Sequence, residues 1–316
     1  MTKVFACYNT NEKVRMKSSS GGFFFLIADK VISEGGIVYG ACYEGTNVVH
    51  RRITNREGIE ACCGSKYVPS VLKNTLKNVR EDLNAGKQVL FSGTPCQCNG
   101  LITYVGHNEN LYVVDLVCHG VPSRKAWQAY LDSMRNHGHE IKMVNMRDKI
   151  SGWSAYSWRL YESGGRDTTE LYTQNPYMIG FLKDYYLRPS CYECRFRGTD
   201  RKTDVTLGDY WGVQDIQPEM FDDKGTSLVF VHTDKGMKMF QEVSKNLKYM
   251  EADLNQAVKR NPSVISSVKK PRQRQKFFKM MEKEKDFIYI IDKLTKPTLY
   301  KYMKKKLKSM LKQFVS

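Results

Sequence analysis

Long apolar runs are missing from this sequence. No stretch of roughly eighteen apolar residues occurs, which is about the minimum for a helix that crosses a bilayer. The opening residues MTKVFACYNTNEKVR also contain no apolar segment followed by a small-residue cleavage site, as a secretory signal would. We therefore expect a cytoplasmic protein without a membrane-spanning helix.

Internal repeats and low-complexity segments are also missing, which excludes a repeat array and a disordered linker protein. With 316 residues, 41% of them hydrophobic, the chain is long enough for one large core or two unequal domains. Its nine cysteines are an odd number, and a reducing cytoplasm disfavours a disulfide framework. The thiols are therefore expected to be core residues, catalytic groups or metal ligands.

The positive charge is concentrated at the C-terminus. The formal net charge is +17, and residues 268–316 contain 16 Lys and Arg against 4 Asp and Glu. The first 267 residues therefore carry only +5. A nucleic-acid binder would carry its basic charge together with aromatics on the domain surface, so this distribution predicts no nucleic-acid partner.

The C-terminal segment predicts a basic amphipathic helix. Between residues 299 and 314, apolar side chains recur at helical spacing and lysines flank them, and Pro297 suits the first turn. One interpretation is a solvated helix whose apolar stripe packs on the core. The other is peripheral contact with an anionic inner-membrane surface, which attracts basic residues.

Segments of strand length and of helix length alternate in residues 1–140. The predicted helices are 21–33, 71–83 and 124–137, and the predicted strands are 37–43, its hairpin partner 48–53, 88–91 and 111–117. The last two strands are each followed by a loop with a cysteine and then by a helix, which predicts parallel neighbours in one sheet. Cys96 and Cys118 would then lie at the carboxyl edge, where α/β sheets bind ligands.

The pattern changes after residue 140. Short, aromatic, alternating segments between 141 and 174 predict a smaller antiparallel sheet, and strands at 204–212 and 227–233 precede a helix at 235–247. The predicted fold class is α/β with α+β elements: a mixed-sheet core, a smaller antiparallel part that carries later cysteines, and a helical basic tail. The predicted domains are 1–140, 141–267 and 268–316.

Cys191 and Cys194 form a C-x-x-C pair in a polar, irregular segment. A buried pair without a ligand is one interpretation, but the polarity of the segment favours metal ligation. Closing a four-cysteine site requires two further thiolates, for which Cys96 and Cys118 are the obvious donors. Zinc and an iron–sulfur cluster both fit four sulfurs, and the two single ligands from distant loops slightly favour the cluster.

Eight motifs occur in one order along most of the chain. They are KSSSGGFF (17–24), VYGACY (38–43), GSKYVPS (64–70), FSGTPCQ (91–97), DLVCHGVPS (115–123), RDK followed by GW (147–153), CYECRF (191–196) and DVTLGDYWG (204–212). Together they resemble the coenzyme F420 hydrogenase/dehydrogenase beta-subunit family, from about Cys7 to His232. A lone C-x-x-C would mean little, so the specificity comes from the ordered set.

The resemblance implies an oxidoreductase with a flavin-binding core, in which FAD lies next to a 4Fe-4S cluster and a small reducible substrate takes the electrons. It implies that the cluster is bound by Cys96, Cys118, Cys191 and Cys194. Relatives act on a deazaflavin coenzyme or on chlorophyll derivatives, or accompany cell-surface polysaccharide biosynthesis. The resemblance therefore predicts a reaction type and leaves the substrate open.

Several loops are expected to bind FAD. Residues 18–22 precede a helix, so their hydroxyl and N–H groups suit a pyrophosphate, although an ordinary helix cap also uses serine. Lys66 and His119 are the expected catalytic residues: the lysine at the flavin N1/O2 edge, the histidine delivering a proton or bonding a sulfide. A surface lysine and a structural histidine are the alternatives. The expected cofactor-binding residues are Ser18, Ser19, Ser20, Gly21, Gly22, Gly64, Ser65, Lys66, Tyr67, Ser92, Gly93, Thr94, Pro95, Gly208 and Asp209.

Two departures from the family pattern affect the expected partners. Many relatives begin with a ferredoxin-like module that this sequence lacks, so electrons would come from a separate ferredoxin or another electron-transfer protein. Cys63 stands where relatives place a basic residue, which counts against an acidic deazaflavin substrate. Cys63, Cys98, Cys7, Cys42 and Cys62 are interpreted as core or incidental thiols. The alternative function is a non-catalytic scaffold, held by a four-cysteine metal site and docking through the basic tail.

Overall fold

The computed structural model describes residues 2–296, which contain two β-sheets and helices packed around them. The strands are β1 (Lys3–Asn9), β2 (Ile37–Glu44), β3 (Asn47–Ile53), β4 (Val89–Gly93), β5 (Leu111–Leu116), β6 (Ile141–Asp148), β7 (Ser157–Glu162), β8 (Asp167–Leu171), β9 (Val205–Asp209), β10 (Ser227–Val231) and β11 (Leu247–Glu251). The α-helices are α1 (Glu12–Lys17), α2 (Phe23–Ser33), α3 (Arg56–Cys62), α4 (Thr75–Asn84), α5 (Pro95–Val105), α6 (Arg124–Asn136), α7 (Pro176–Leu182), α8 (Val213–Ile216), α9 (Asp234–Val243), α10 (Leu254–Arg260), α11 (Gln273–Glu282) and α12 (Phe287–Thr295).

The larger sheet is mixed, with the strand order β11-β1-β10-β9-β5-β4-β2-β3. Its centre, β9-β5-β4-β2, is parallel, and antiparallel strands complete both edges. The central strands have long apolar runs because both of their faces are covered: Val89, Leu90 and Phe91 are fully buried. The predicted parallel pairing of the strands before Cys96 and Cys118 is confirmed.

The smaller sheet is antiparallel, with the order β6-β7-β8, as the alternating pattern predicts. Trp158 on β7 is completely buried, with its ring centroid 6.3 Å from that of Trp127 on α6 and 5.7 Å from that of Tyr177 on α7. This aromatic cluster fixes the smaller sheet against the helices that follow the central strands. The predicted α/β class with α+β elements is confirmed.

The larger sheet takes β9, β10 and β11 from the second predicted domain, and the domain division itself stays a prediction. The first part of the basic tail forms α11 and α12. Phe277, Phe287 and Ile290 are buried in the same core cluster as Trp158. The predicted amphipathic helix at 299–314 lies outside the described residues. None of the helices within residues 2–296 combines the length and the apolar character needed to cross a membrane.

Two predicted helix boundaries are wrong for identifiable reasons. The helix expected at 71–83 begins only at Thr75, because the backbone of Val71 hydrogen-bonds to β3 and Lys73 has a φ of 46°. The helix expected at 235–247 ends at Val243. Its last expected residue instead begins β11, which pairs with β1, a strand that periodicity did not predict.

Candidate functional site

A cavity of about 490 Å³ lies at the carboxyl ends of β4, β5 and β9. Ser92, Leu116 and Gly208 contribute one stretch of its lining from each of these strands. The volume is within the range of small-molecule and cofactor sites, roughly 300–1,000 Å³. The cavity therefore occupies the sheet edge that the two cysteine loops predict.

The turn at residues 18–22 is held tightly against the sheet. A Cβ on Gly21 would lie 2.3 Å from the Cys7 carbonyl oxygen, so only glycine fits there. The Ser20 hydroxyl donates to the Thr226 carbonyl at 2.7 Å. Within the described residues, no side chain caps the N-terminus of α2, which starts after Gly22 at the cavity. The first N–H groups of α2 are therefore suited to an anion.

Lys149 anchors this turn from the other side. Its ammonium group donates to the carbonyl oxygens of Arg15 at 2.9 Å, Ser20 at 2.7 Å and Lys224 at 2.7 Å. In the sequence Lys149 belongs to the RDK motif, which predicts no separate role for it. Its bonds tie the smaller sheet to the turn at the cavity.

Lys66 lines the cavity, but its protons are engaged within its own loop. Its Nζ donates to the carbonyl oxygens of Cys62 at 2.9 Å, Cys63 at 3.0 Å and Gly64 at 3.0 Å. Burial of the ammonium group lowers its pKa. Ser65 donates to the Ser19 hydroxyl at 2.9 Å, which joins this loop to the turn at residues 18–22. The Lys66 ammonium group was expected to contact the flavin. In this structure it donates to carbonyl oxygens of its own loop and stabilises the shape of that loop.

The loop after β4 combines a helix start with a cysteine. Thr94 N donates to the Gln97 side chain at 3.0 Å, and Pro95 occupies the first turn of α5, where its missing N–H costs nothing. Cys96 follows directly and is exposed at the cavity, whereas Cys98 is fully buried. The two cysteines therefore lie in different environments although one residue separates them.

Arg197 hydrogen-bonds to the backbone of the loop after β5. The Arg197 guanidinium donates to the carbonyl oxygens of Cys118 and Ser263, and to that of His119 at 3.0 Å. His119 Nε2 lies 2.7 Å from a carboxylate oxygen of Asp184, a residue with a φ of 59°. Asp184 carried no signal in the sequence, because the chain turns back after α7 to reach His119.

The C-x-x-C loop packs directly on the loop after β5. Val121 N donates to Cys191 Sγ at 3.3 Å. A Cβ on Gly120 would lie 2.7 Å from Leu187 Cδ1 and 3.5 Å from Cys191 Cβ. Glycine at this position therefore allows the two cysteine loops to approach each other.

The four predicted cysteine ligands share one region. Burial raises the pKa of the Cys118 thiol to about 12, Arg197 partly lowers it, and the charges of Cys191, Cys96 and Cys194 add to the rise. Among residues 2–296, however, no three His, Cys, Asp or Glu side chains are arranged to hold a single metal ion. A 4Fe-4S cluster needs four thiolates, and the four cysteines of this region supply that number.

An ion pair on the cavity lining was missed by sequence reasoning. Arg147, at the end of β6, donates to the Asp209 carboxylate at 2.5 Å, and Trp153 Nε1 donates to the other carboxylate oxygen at 3.1 Å. The guanidinium carbon lies 4.7 Å from the ring centroid of Tyr156 and 5.1 Å from that of Trp211. Arg147 is part of the RDK motif, and this motif is the sequence signal that could have identified it as a site residue.

Most of the predicted site residues line this cavity. Both expected catalytic residues do so. The expected site residues that do not line it are Gly21, Pro95, Cys191 and Cys194. The first two support lining loops from behind, and the last two form the C-x-x-C loop.

Comparisons with known proteins agree with this architecture. The family model for the C-terminal part of the "Coenzyme F420 hydrogenase/dehydrogenase, beta subunit" matches residues 86–257. A chain from the F420-reducing [NiFe] hydrogenase complex of Methanosarcina barkeri has a similar fold, with a TM-score of 0.55 and 18% identity over 90% of this chain and 93% of that one. A comparison with curated proteins finds no match. Because the family model covers more than half of the sequence, the chain belongs to the coenzyme F420 hydrogenase/dehydrogenase beta-subunit family.

Proposed function

We propose that this chain is an iron–sulfur flavoprotein subunit that binds FAD in the cavity and a 4Fe-4S cluster on Cys96, Cys118, Cys191 and Cys194. Membership of the family supports an oxidoreductase-type subunit. The observation that carries the finer proposal is the shared lining: Cys96 and Cys118 belong both to the cavity and to the four-cysteine region. Electrons would then travel a short distance between the two groups.

The residues around the cavity suit a flavin nucleotide. The uncapped N-terminus of α2, beside the turn at residues 18–22, would bind the pyrophosphate through backbone N–H groups. The aromatic side chains of Tyr67, Tyr156 and Trp211 line the same space and suit a planar ring. When bound, the cluster would supply single electrons, and FAD would exchange either single electrons or a hydride.

The four-cysteine region offers the four thiolates that a 4Fe-4S cluster needs. Its loops are held by backbone contacts, from Arg197 to the Cys118 carbonyl and from Val121 N to Cys191 Sγ. The Val121 N–H group, which donates to Cys191 Sγ, would stabilise the negative charge of bound sulfur.

His119 is proposed as the proton carrier of the site. Its Nε2 is paired with Asp184, so the carboxylate orients the ring. Nδ1 would hold the proton that a substrate receives or gives. The reducible substrate and a separate ferredoxin-like partner stay part of this proposal, and the association with polysaccharide biosynthesis stays a prediction.

The first test is an absorption spectrum of anaerobically purified full-length protein, with flavin, iron, sulfide and zinc quantified on the same sample. We expect flavin bands and about four irons and four sulfides per chain. Stoichiometric zinc without flavin, unchanged after anaerobic reconstitution with iron, sulfide and FAD, would overturn the proposal in favour of the metal-stabilised scaffold.

A further inference from the structure

Two cysteines outside the proposed cluster site are in contact. Cys42 on β2 and Cys62 at the end of α3 have their Sγ atoms 2.6 Å apart. Cys42 is 1% exposed, whereas Cys62 is partly exposed and lines the cavity. One sulfur is therefore enclosed and the other is open to small molecules.

The surrounding backbone provides room for this contact. A Cβ on Gly40 would lie 2.8 Å from Cys62 Sγ, so the sulfur occupies space that any side chain at residue 40 would fill. The ammonium group of Lys66 donates to the carbonyl oxygens of Cys62 and Cys63 and fixes the end of α3. Gly40 on β2 and the bonds from Lys66 to the end of α3 therefore both hold the two sulfurs in contact.

The pair also has the electrostatics of a reactive dithiol. A hydrogen bond from Cys62 lowers the pKa of Cys42, and the same interaction raises the pKa of Cys62, because the pair shares one proton more easily than it loses two. The positive charge of Lys66 lowers the pKa of both thiols in part. A thiolate in contact with a second sulfur is the arrangement that disulfide formation requires.

We propose that Cys42 and Cys62 form a redox-active dithiol that a low-molecular-weight disulfide oxidises to an intramolecular disulfide bond. This proposal does not depend on bound FAD or on a cluster. The two sulfurs need only a small movement to reach the bond length of about 2.05 Å.

The thiol–disulfide exchange has two steps, in which atoms and electrons balance. Cys62, the accessible thiol, passes its proton to the Cys42 thiolate as it attacks one sulfur of the small disulfide. A mixed disulfide forms, and the departing small thiolate takes that proton from Cys42 and leaves as the first small thiol. The Cys42 thiolate then attacks Cys62 Sγ, forms the intramolecular bond and releases the second small thiol. Two electrons pass to the small disulfide, and the two protons of the cysteine thiols end on the released thiols.

Oxidation would change the cavity lining. The bond would tie the last residue of α3 to β2 and restrict the following loop, in which Gly64, Ser65 and Lys66 line the cavity. The proposal therefore predicts a cavity whose loop depends on the thiol redox state.

The test uses full-length protein carrying Cys63→Ser, because residues 62 and 63 share the tryptic peptide 57–66. The protein is equilibrated with mixtures of reduced and oxidised glutathione, alkylated and mapped by peptide mass spectrometry. We expect a disulfide between peptides 31–51 and 57–66. With Cys42→Ser added, glutathione should instead accumulate on Cys62, and with Cys62→Ser added, Cys42 should stay unmodified.

Two results would overturn the proposal. One is full alkylation of Cys42 and Cys62 in the most oxidised glutathione mixture. The other is a bond from Cys62 to any cysteine except Cys42. If a serine variant does not fold by circular dichroism, the mapping on the Cys63→Ser protein alone decides between these outcomes.

Discussion

Two groups of cysteines contribute to the lining of one cavity, Cys62 from one group and Cys96 and Cys118 from the other. Cys42 and Cys62 are in contact at 2.6 Å. The group of Cys96, Cys118, Cys191 and Cys194 shares one region, and among residues 2–296 no three ligating side chains are arranged around a single metal ion. Sulfurs in contact can bond to each other, whereas sulfurs that surround a space can ligate what fills it. Separation, more than residue type, distinguishes the chemistry that each group supports.

The largest expected effect distinguishes two cysteines on one helix. Cys96→Ser should abolish stoichiometric iron and sulfide, because a 4Fe-4S cluster needs its four thiolates, and the visible spectrum should lose its cluster absorption. Cys98→Ala is the matched control, since Cys98 is fully buried, and it should retain the full iron content. Equal iron in both variants would contradict the assignment of Cys96.

The sequence predicts the four-cysteine group, and it does not predict the contact between Cys42 and Cys62. Cys96 and Cys118 follow apolar strands, and parallel neighbours bring such loops to one edge, so their proximity could be predicted from local pattern. The contact of Cys42 with Cys62 depends on how α3 packs on β2, which no periodicity encodes. Strand β1 was missed for a similar reason, because its partners β10 and β11 come more than 200 residues later.

The Arg147–Asp209 ion pair is expected to stabilise the cavity lining to which both cysteine groups contribute. The side chains of Arg147 and Asp209 are 3% and 16% exposed. Asp209→Asn leaves the guanidinium charge buried without its counter-ion, which costs about 3–5 kcal/mol. We expect the free energy of unfolding in urea to fall by this amount.

The matched control for this loss is an exposed ion pair. Glu81→Gln removes the partner of Lys77 at 3.7 Å on α4, where both side chains are largely exposed. Such pairs contribute about 0–1 kcal/mol. If Asp209→Asn and Glu81→Gln lowered the free energy of unfolding by the same amount, the Arg147–Asp209 pair would not stabilise the cavity lining.

Acid should destabilise the protein through a histidine beside the Ser92 loop. His50 hydrogen-bonds to Ser70 Oγ at 2.6 Å and to the Ser92 carbonyl at 3.0 Å, and burial lowers its pKa to about 4. Between pH 6.5 and 4 the unfolded chain binds a proton that folded His50 does not, so stability falls as the pH falls through this window. By pH 4.5 the loss should be about 2 kcal/mol.

Urea denaturation at several pH values measures this contribution. The stability of His50→Asn should depend less steeply on pH than that of the wild-type protein between pH 6.5 and 4. His107→Gln is the control, because the His107 side chain is 86% exposed, and its profile should match the wild type. Parallel profiles for wild type and His50→Asn would show that His50 does not titrate as expected.

A pair of glycine substitutions makes the sharpest comparison between the two cysteine groups. Gly120→Ala places a methyl group against Leu187 beside Cys191, and Gly40→Ala places one against Cys62 Sγ. Each overpacked site costs about 1–3 kcal/mol. Gly120→Ala should lower the iron content and leave the glutathione-driven disulfide intact, whereas Gly40→Ala should slow disulfide formation and leave the iron content intact. If either substitution impaired both properties, the groups would be coupled through the cavity, and sulfur spacing alone would not account for their separate chemistry.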